Sequence, residues 1–440
     1  MKLLTRLVVD LTPLRQSAAF RRLWIGSGLS SVGGQMTNYA VVLQVFRLTH
    51  SSLDVGLIGL LIAVPAIVIA MAGGAFADAT DRRTLVLVAT SLQVGVSGML
   101  AFQAFAGLNQ VWLLYCLVTL QSVIGAVNAP ARSTFMPSLL PRGQLPAGSA
   151  LQMLTMHGSL TIGPALAGLI TTAYGLKACY LIDAISFGFS LYGVGRLPRM
   201  RPHGGDSRPG LRTIATGLRF IAGRREILGA FAADMSATFL GMPFALFPAI
   251  NAERFGGHPE TLGLMTTAIA VGGILGSALS GPVGRVRRQG LGMLAGGVVW
   301  GVGLVGFGLA SVFWLAFFTL VIAGTGDVVS VVLRTALVQG ATPDELRGRV
   351  SAANYAVGAG VPQLGNFRAG LVADLTSPTA GVIGGGIAAA AGAVLIGLLI
   401  PSLVRFRTQP AVPAAPAHSP PAESLTGQRR EADTAANMFP

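Results

Sequence analysis

Charge is what this sequence has least of. Charged residues fill 11% of its 440 positions, against about 25% in soluble globular proteins, and the mean hydropathy is +0.66. This excludes a soluble domain and predicts an integral membrane protein. Lysine is nearly missing, with Lys2 and Lys177 the only two. Without a lysine after a glycine-rich loop, and without His-Glu-x-x-His, neither a phosphate-binding loop nor a zinc-protease helix can be built. An enzyme is therefore not expected, nor a metal or a cofactor, and nucleotide-driven pumping would need a separate subunit. Cysteine is limited to Cys116 and Cys179, too few for a disulfide framework; free thiols are expected, with a single bridge as the alternative. The stretch from Met1 to Trp24 carries Lys2, Arg6, Asp10, Arg15, Arg21 and Arg22. It has no apolar core of the kind a cleavable signal needs, so the first spanning helix is expected to do the targeting.

Arginine and long apolar runs are abundant. The net charge of +14 and isoelectric point of about 11.1 come from arginines scattered through short turns rather than gathered on one face, which argues against nucleic acid. Val55 to Ala77 is uncharged, long enough to cross a bilayer at about 1.5 Å per residue. Thr84 to Gly107 is apolar again, and Arg82-Arg83 assigns the turn between them to the cytoplasm by the positive-inside rule. Continued along the chain, the pattern predicts an all-α membrane protein of twelve transmembrane helices with both termini cytoplasmic. The expected organisation is a cytoplasmic segment 1–22, a six-helix bundle 23–198, a linker 199–226, a second six-helix bundle 227–404 and a disordered tail 405–440. In the linker, Leu211, Ile214, Leu218 and Ile221 form an apolar stripe opposite Arg212, Arg219 and Arg224, which predicts an amphipathic helix on the inner leaflet. The two halves repeat: Val55-Gly-Leu corresponds to Leu262-Gly-Leu, and at the same offset Gly73-Gly74 meets Ser280-Gly281.

The turn Gly74-x-x-x-Asp78-x-x-x-Arg82-Arg83 resembles the signature loop between the second and third helices of the major facilitator superfamily, although Ala79 and Asp81 stand where that pattern has arginine and glycine. Gly158-Ser-Leu-Thr-Ile-Gly163-Pro164-Ala-Leu-Ala-Gly168 is similar to the antiporter signature of the superfamily's exporters. Phe20-Arg-Arg-Leu-Trp24, Thr49-His-Ser-Ser and Ala341-Thr-Pro-Asp-Glu-Leu-Arg347-Gly-Arg-Val350 resemble the enterobactin-exporter group and related multidrug and macrolide efflux proteins. The resemblance implies two pseudo-symmetric six-helix bundles, the major facilitator fold, with a substrate site between them near the midplane.

Polar residues concentrate on the first and fourth helix of each half. Gln35 and Asn38, three residues apart and so on one helical face, are candidates to line the cavity with Gln121 and Asn128. Gly74, Asp78, Arg82, Arg83, Arg132 and Arg334 are gating candidates; for Arg132 and Arg334 the alternative is snorkelling to the interface. Gly163, Pro164 and Gly168 are expected to let helices approach closely, and Asp183 is expected to be a hydrogen-bonded structural acid. The family's proton-coupled exporters have an arginine where this chain has Gln121, so a proton carrier has to be sought elsewhere. Asp327 is the first candidate and Asp234 the second, because an unpaired carboxylate in the bilayer is costly when ionised. The alternative is that each is permanently paired, Asp327 with Arg334 through water or a neighbouring helix, or that Asp234 caps a broken backbone.

These observations predict a secondary exporter of an amphiphilic small molecule, siderophore or drug-like, working by proton antiport in the bacterial cytoplasmic membrane. A monomer is expected. An importer or facilitator in the same fold is the alternative, and a membrane sensor or enzyme a third.

Overall fold

The computed structural model describes residues 10–72, 81–197, 211–279 and 287–406. Gly74 and Asp78 lie outside this set, as do residues 198–210 of the linker and 407–440 of the tail. The first half comprises α1 (Ala18–Thr49), α2 (Ser52–Ala72), α3 (Arg82–Ala106), α4 (Val111–Ser133), α5 (Leu145–Tyr174) and α6 (Leu176–Gly195). The second comprises α7 (Arg225–Gly241), α8 (Pro259–Ala278), α9 (Gln289–Leu309), α10 (Phe313–Ala341), α11 (Asp344–Leu375) and α12 (Pro378–Leu399). Ten of these, some with a short flanking helix, are long and apolar enough to cross a bilayer. The other two, α1 and α11, run for 32 residues each but are more polar: Gln35 and Asn38 interrupt one, Gln363, Asn366 and Arg368 the other.

Local chemistry sets the ends. The Ser17 hydroxyl accepts from Phe20 N at 3.2 Å and starts α1, several residues before the apolar run begins, so Arg21 and Arg22 project beyond it on the same helix. Asp81 accepts from Arg83 N at 2.9 Å and caps α3, which gives a physical use to the aspartate found where the superfamily pattern has glycine. Gly107, with φ of 64°, closes α3 in the left-handed conformation. The sequence pattern predicts one continuous helix from Ile227 to Ile250, and here the chain differs. α7 stops at Gly241, Met242 is extended, and a short helix resumes at Phe247–Arg254. Pro243 is the reason: a proline drives the residue before it out of the helical region and supplies no N–H. The carbonyl of Leu240, orphaned by the break, accepts from Arg368 Nη2 at 2.6 Å.

Packing repeats between the halves. α1 packs on α5 and α6, α3 on α4 and α6, and α2 on α4; correspondingly α7 packs on α11 and α12, α9 on α10 and α12, and α8 on α10. Two further seams join the halves, α2 with α11 and α5 with α8. At the second seam, a Cβ on Gly168 would lie 2.8 Å from Pro259 O, and one on Gly263 would lie 2.5 Å from Pro164 O, so the backbones approach as closely as they do because both side chains are hydrogen. Phe102 and Phe105 on α3, Phe189 on α6, Val302 on α9, Phe318 on α10 and Leu395 on α12 are all exposed. Apolar side chains facing outward around the molecule form the surface a bilayer covers.

The linker helix, Leu211–Gly223, packs on α11. Its Ile221 is buried while Leu218 is 45% exposed, so the apolar stripe is shared between the protein and the surroundings.

Candidate substrate cavity and its charged residues

The bundle has an arginine-rich end, where Arg82, Arg83, Arg142, Arg225, Arg287 and Arg288 lie, and an arginine-poor end carrying Arg47, Lys177 and Arg254. Between the halves is a largely apolar chamber of about 440 Å³, walled by Val42, Ile58, Leu160, Phe244, Leu262 and Ile269 among others. Its amide side chains come in two pairs, Gln35 and Asn38 on α1 and Gln363 and Asn366 on α11, with Tyr39 and Thr266 also on its wall. Each pair shares the three-residue spacing that puts both amides on one helical face, and Asn366 Nδ2 donates to Gln363 Oε1 at 3.3 Å.

A second cavity of about 770 Å³ continues from the chamber toward the arginine-rich end, sharing Gln35, Asn38, Ile62, Val118, Leu160 and Gln363 with it. This vestibule is more polar, with Ser27, Gln93, Gln121, Arg132, Gln152 and Trp24 on its walls. Toward the other end the halves are tied together. Tyr39 Oη donates to Pro259 O at 2.5 Å, the Thr172 hydroxyl donates to the Glu260 carboxylate, and Thr267 Oγ1 donates to Thr161 O at 3.1 Å.

Three charged constellations lie within the two halves, and of their charged groups Arg132 lines the vestibule. In the second half, Arg334 Nη1 stands 3.3 Å from Asp234 Oδ2 and donates to Asn354 Oδ1 at 2.7 Å, with its guanidinium over the Phe231 ring at 5.5 Å. This pair ties α7, α10 and α11 together. Asp327 lies two turns before Arg334 on α10, too far along the helix to share its guanidinium directly. Among the described residues its carboxylate has neither an ion pair nor a hydrogen bond, so Asp327 and Arg334 make no direct pair. In the first half, Arg132 Nη2 donates to Ser190 Oγ at 2.6 Å and to Ser27 Oγ at 3.0 Å. The third is Asp183, fully buried, whose Oδ2 accepts from Ser97 at 2.7 Å and Thr37 at 2.8 Å.

The remaining predicted residues divide. Gln35, Asn38 and Gln121 line the connected cavities. Asn128 is buried behind the wall, its Nδ2 3.5 Å from Gln93 Oε1. Arg83 Nη2 donates to Gly195 O at 2.6 Å, on the last residue of α6, a cation satisfying a helix C-terminus. Gly168 and Pro164 meet α8 across the seam, whereas Gly163 faces α1 of its own half, where an added Cβ would lie 2.5 Å from Gln35 Cβ. Cys116 and Cys179 are free. Sequence reasoning does not single out Gln93, Gln363 or Ser27, and marks Asn366 only as a polar residue of the eleventh helix. The spacing of Gln363 and Asn366, identical to that of Gln35 and Asn38, was the available signal for two of them.

Two six-helix repeats joined by two seams around a central cavity define a transporter of the major facilitator type. The chain belongs to the family described as transmembrane secretion effector, whose pattern matches residues 8–431. It is 26% identical over 407 residues to the enterobactin exporter EntS of Citrobacter koseri, covering 92% of this chain and 97% of that one. Among solved structures it resembles the nucleoside transporter NupG, with a TM-score of 0.70, 11% identity and 88% of this chain and 99% of that chain covered. A bacterial homologue of the iron transporter ferroportin in its inward-facing state has a TM-score of 0.68 at 16% identity, covering 88% of this chain and 99% of that chain.

Proposed function

We propose that this transporter is a secondary exporter that carries an amphiphilic small molecule, siderophore or drug-like, out across the bacterial cytoplasmic membrane by alternating access with proton antiport. The observation that carries the reading is the continuous path from the polar vestibule into the apolar chamber, which extends toward the arginine-rich end. The positive-inside rule makes that end cytoplasmic, which supports reading both termini as cytoplasmic and the vestibule as the side from which substrate enters. An amphiphile fits a space whose walls change from polar to apolar along its length. The kinship with enterobactin exporters supports outward movement and a siderophore-like cargo.

Alternation opens the α2–α11 and α5–α8 seams in turn. Asp78 is assigned to the N-terminus of α11, which starts at Asp344, where unsatisfied amides favour a carboxylate; with Gly74, Arg82 and Arg83 it gates the cytoplasmic side. Asp327 is assigned the proton, and Asp234, paired with Arg334, the second place. The proposed working unit is a monomer.

The test is accumulation of labelled enterobactin-like catecholates and drug-like amphiphiles in inverted vesicles, with and without an imposed proton gradient. Gradient-dependent accumulation is expected. Equilibration indifferent to the gradient would instead make the protein a facilitator.

A further inference from the structure

Each half holds an arginine on its fourth helix against its first helix, Arg132 and Arg334, offset by 202 residues, and treats it differently. The offset of 207 residues that relates Val55 to Leu262 also relates Ser27 to Asp234. Arg132 on α4 bonds to Ser27 on α1 as Arg334 on α10 bonds to Asp234 on α7. The second half thus neutralises its buried guanidinium with a carboxylate. The first half offers only the hydroxyls of Ser27 and Ser190, and among the described residues no carboxylate pairs with Arg132. Both hydroxyls engage Nη2 alone; Nη1 and Nε take no hydrogen bond among the described residues, and Arg132 lies on the wall of the vestibule. A guanidinium has five donors in a planar fork suited to an anionic oxygen pair. A charge held in a low-dielectric site is costly until something pairs it.

We infer that Arg132 is the binding point for the anionic group of the cargo, an organic anion with carboxylate-like oxygens. The cargo itself supplies the carboxylate that Asp234 supplies in the other half. Ser27 and Asn38 are eleven positions apart on α1, roughly 16 Å along the helix. A ligand anchored at Arg132 therefore directs its apolar body along the vestibule toward the chamber, and the polarity of the walls matches that orientation. This assignment rests on the proposed reading of the cavity as the substrate path and names the class of molecule it takes.

The test compares two probes of the same shape, 1-naphthylacetate and its neutral amide, by equilibrium dialysis against the purified full chain in nanodiscs of zwitterionic lipid, with empty nanodiscs subtracted. Wild type is expected to bind the acetate about tenfold or more tightly than the amide, the size of one charge-assisted hydrogen-bonded pair. Arg132→Gln should bring the ratio to about one. Ser27→Asp installs the carboxylate that the other half possesses, so it should also abolish the preference while leaving the arginine in place and paired. If Arg132→Gln does not fold, Ser27→Asp decides alone. Equal binding of the two probes by wild type, no binding of the acetate, or a preference that survives either substitution overturns the assignment. No gradient is involved, so the anion site can fail while gradient-driven export stands, and export can fail while the anion site stands.

Discussion

Asp234 and Arg334 meet at 3.3 Å, both almost wholly enclosed, with relative side-chain exposures of 9% and 7%. They join α7 to α10, and Asn354 adds α11 through its 2.7 Å bond from the same guanidinium nitrogen. Transferring both ions from water is costly, and the pair recovers that cost only while both members are present.

Arg334→Gln should therefore destabilise the fold by about 3–5 kcal/mol, because it leaves Asp234 buried and unpaired. Adding Asp234→Asn should restore much of that loss by removing the stranded charge. Thermal unfolding of the three variants in detergent measures this; a double variant no more stable than Arg334→Gln would show that the carboxylate was not the source of the penalty.

Gly168 and Gly163 should separate packing between halves from packing within one. A leucine at 168 would push into Pro259 and Glu260 of α8, and one at 163 into Gln35 of α1. Gly168→Leu should leave the protein folded but cut transport severely, since α5 and α8 must stay in register through the cycle. Gly163→Leu should mainly lower the yield of folded protein. Parallel measurement of size-exclusion profile and transport rate distinguishes the two, and normal transport by Gly168→Leu would remove the seam from the mechanism.

Much of the architecture was legible in the sequence because a bilayer admits few solutions. Uncharged runs of spanning length have to be helices, and the offset linking Val55 to Leu262 exposed the duplication. The break in α7 was legible in principle, since Pro243 forbids a continuous helix, yet apolar patterning alone runs across it. Side-chain partnership was not legible. Asp327 and Arg334 share a helix and suggest each other, whereas Arg334 pairs across space with Asp234, 100 positions away. Asn128 and Gln121 look alike on one predicted helix, but only packing decides that one is buried behind the wall and the other faces the cavity. Ser27 looked unremarkable until its counterpart in the second half proved to be an ionised pair's acid.

Asp183 should behave as a structural acid. Its Oδ2 accepts from Thr37 on α1 and Ser97 on α3, so it fastens α6 to two neighbours. Asparagine retains one acceptor oxygen, and Asp183→Asn should keep transport near the wild-type rate. Asp183→Ala leaves both hydroxyls without their acceptor and should cost about 1–3 kcal/mol of stability. Loss of coupling in Asp183→Asn with stability unchanged would reassign this residue to the transport cycle.

Asp327 is the opposite case, a carboxylate inside the second half with no partner among the described residues. The single guanidinium nearby on α10 is already engaged by Asp234 and Asn354, so Asp327 has no fixed cation that would hold it ionised through the cycle. A group in that position is suited to gain a proton on one side and release it on the other as its surroundings alternate. Asparagine mimics the protonated form permanently. Asp327→Asn should therefore abolish accumulation driven by a proton gradient in inverted vesicles while preserving substrate binding and gradient-independent exchange. Asp234→Asn should instead behave as a stability variant, since it removes the partner of a buried arginine. If Asp327→Asn still concentrates substrate against its gradient while Asp234→Asn cannot, the proton belongs to Asp234, and the ion pair with Arg334 is the state from which it is loaded.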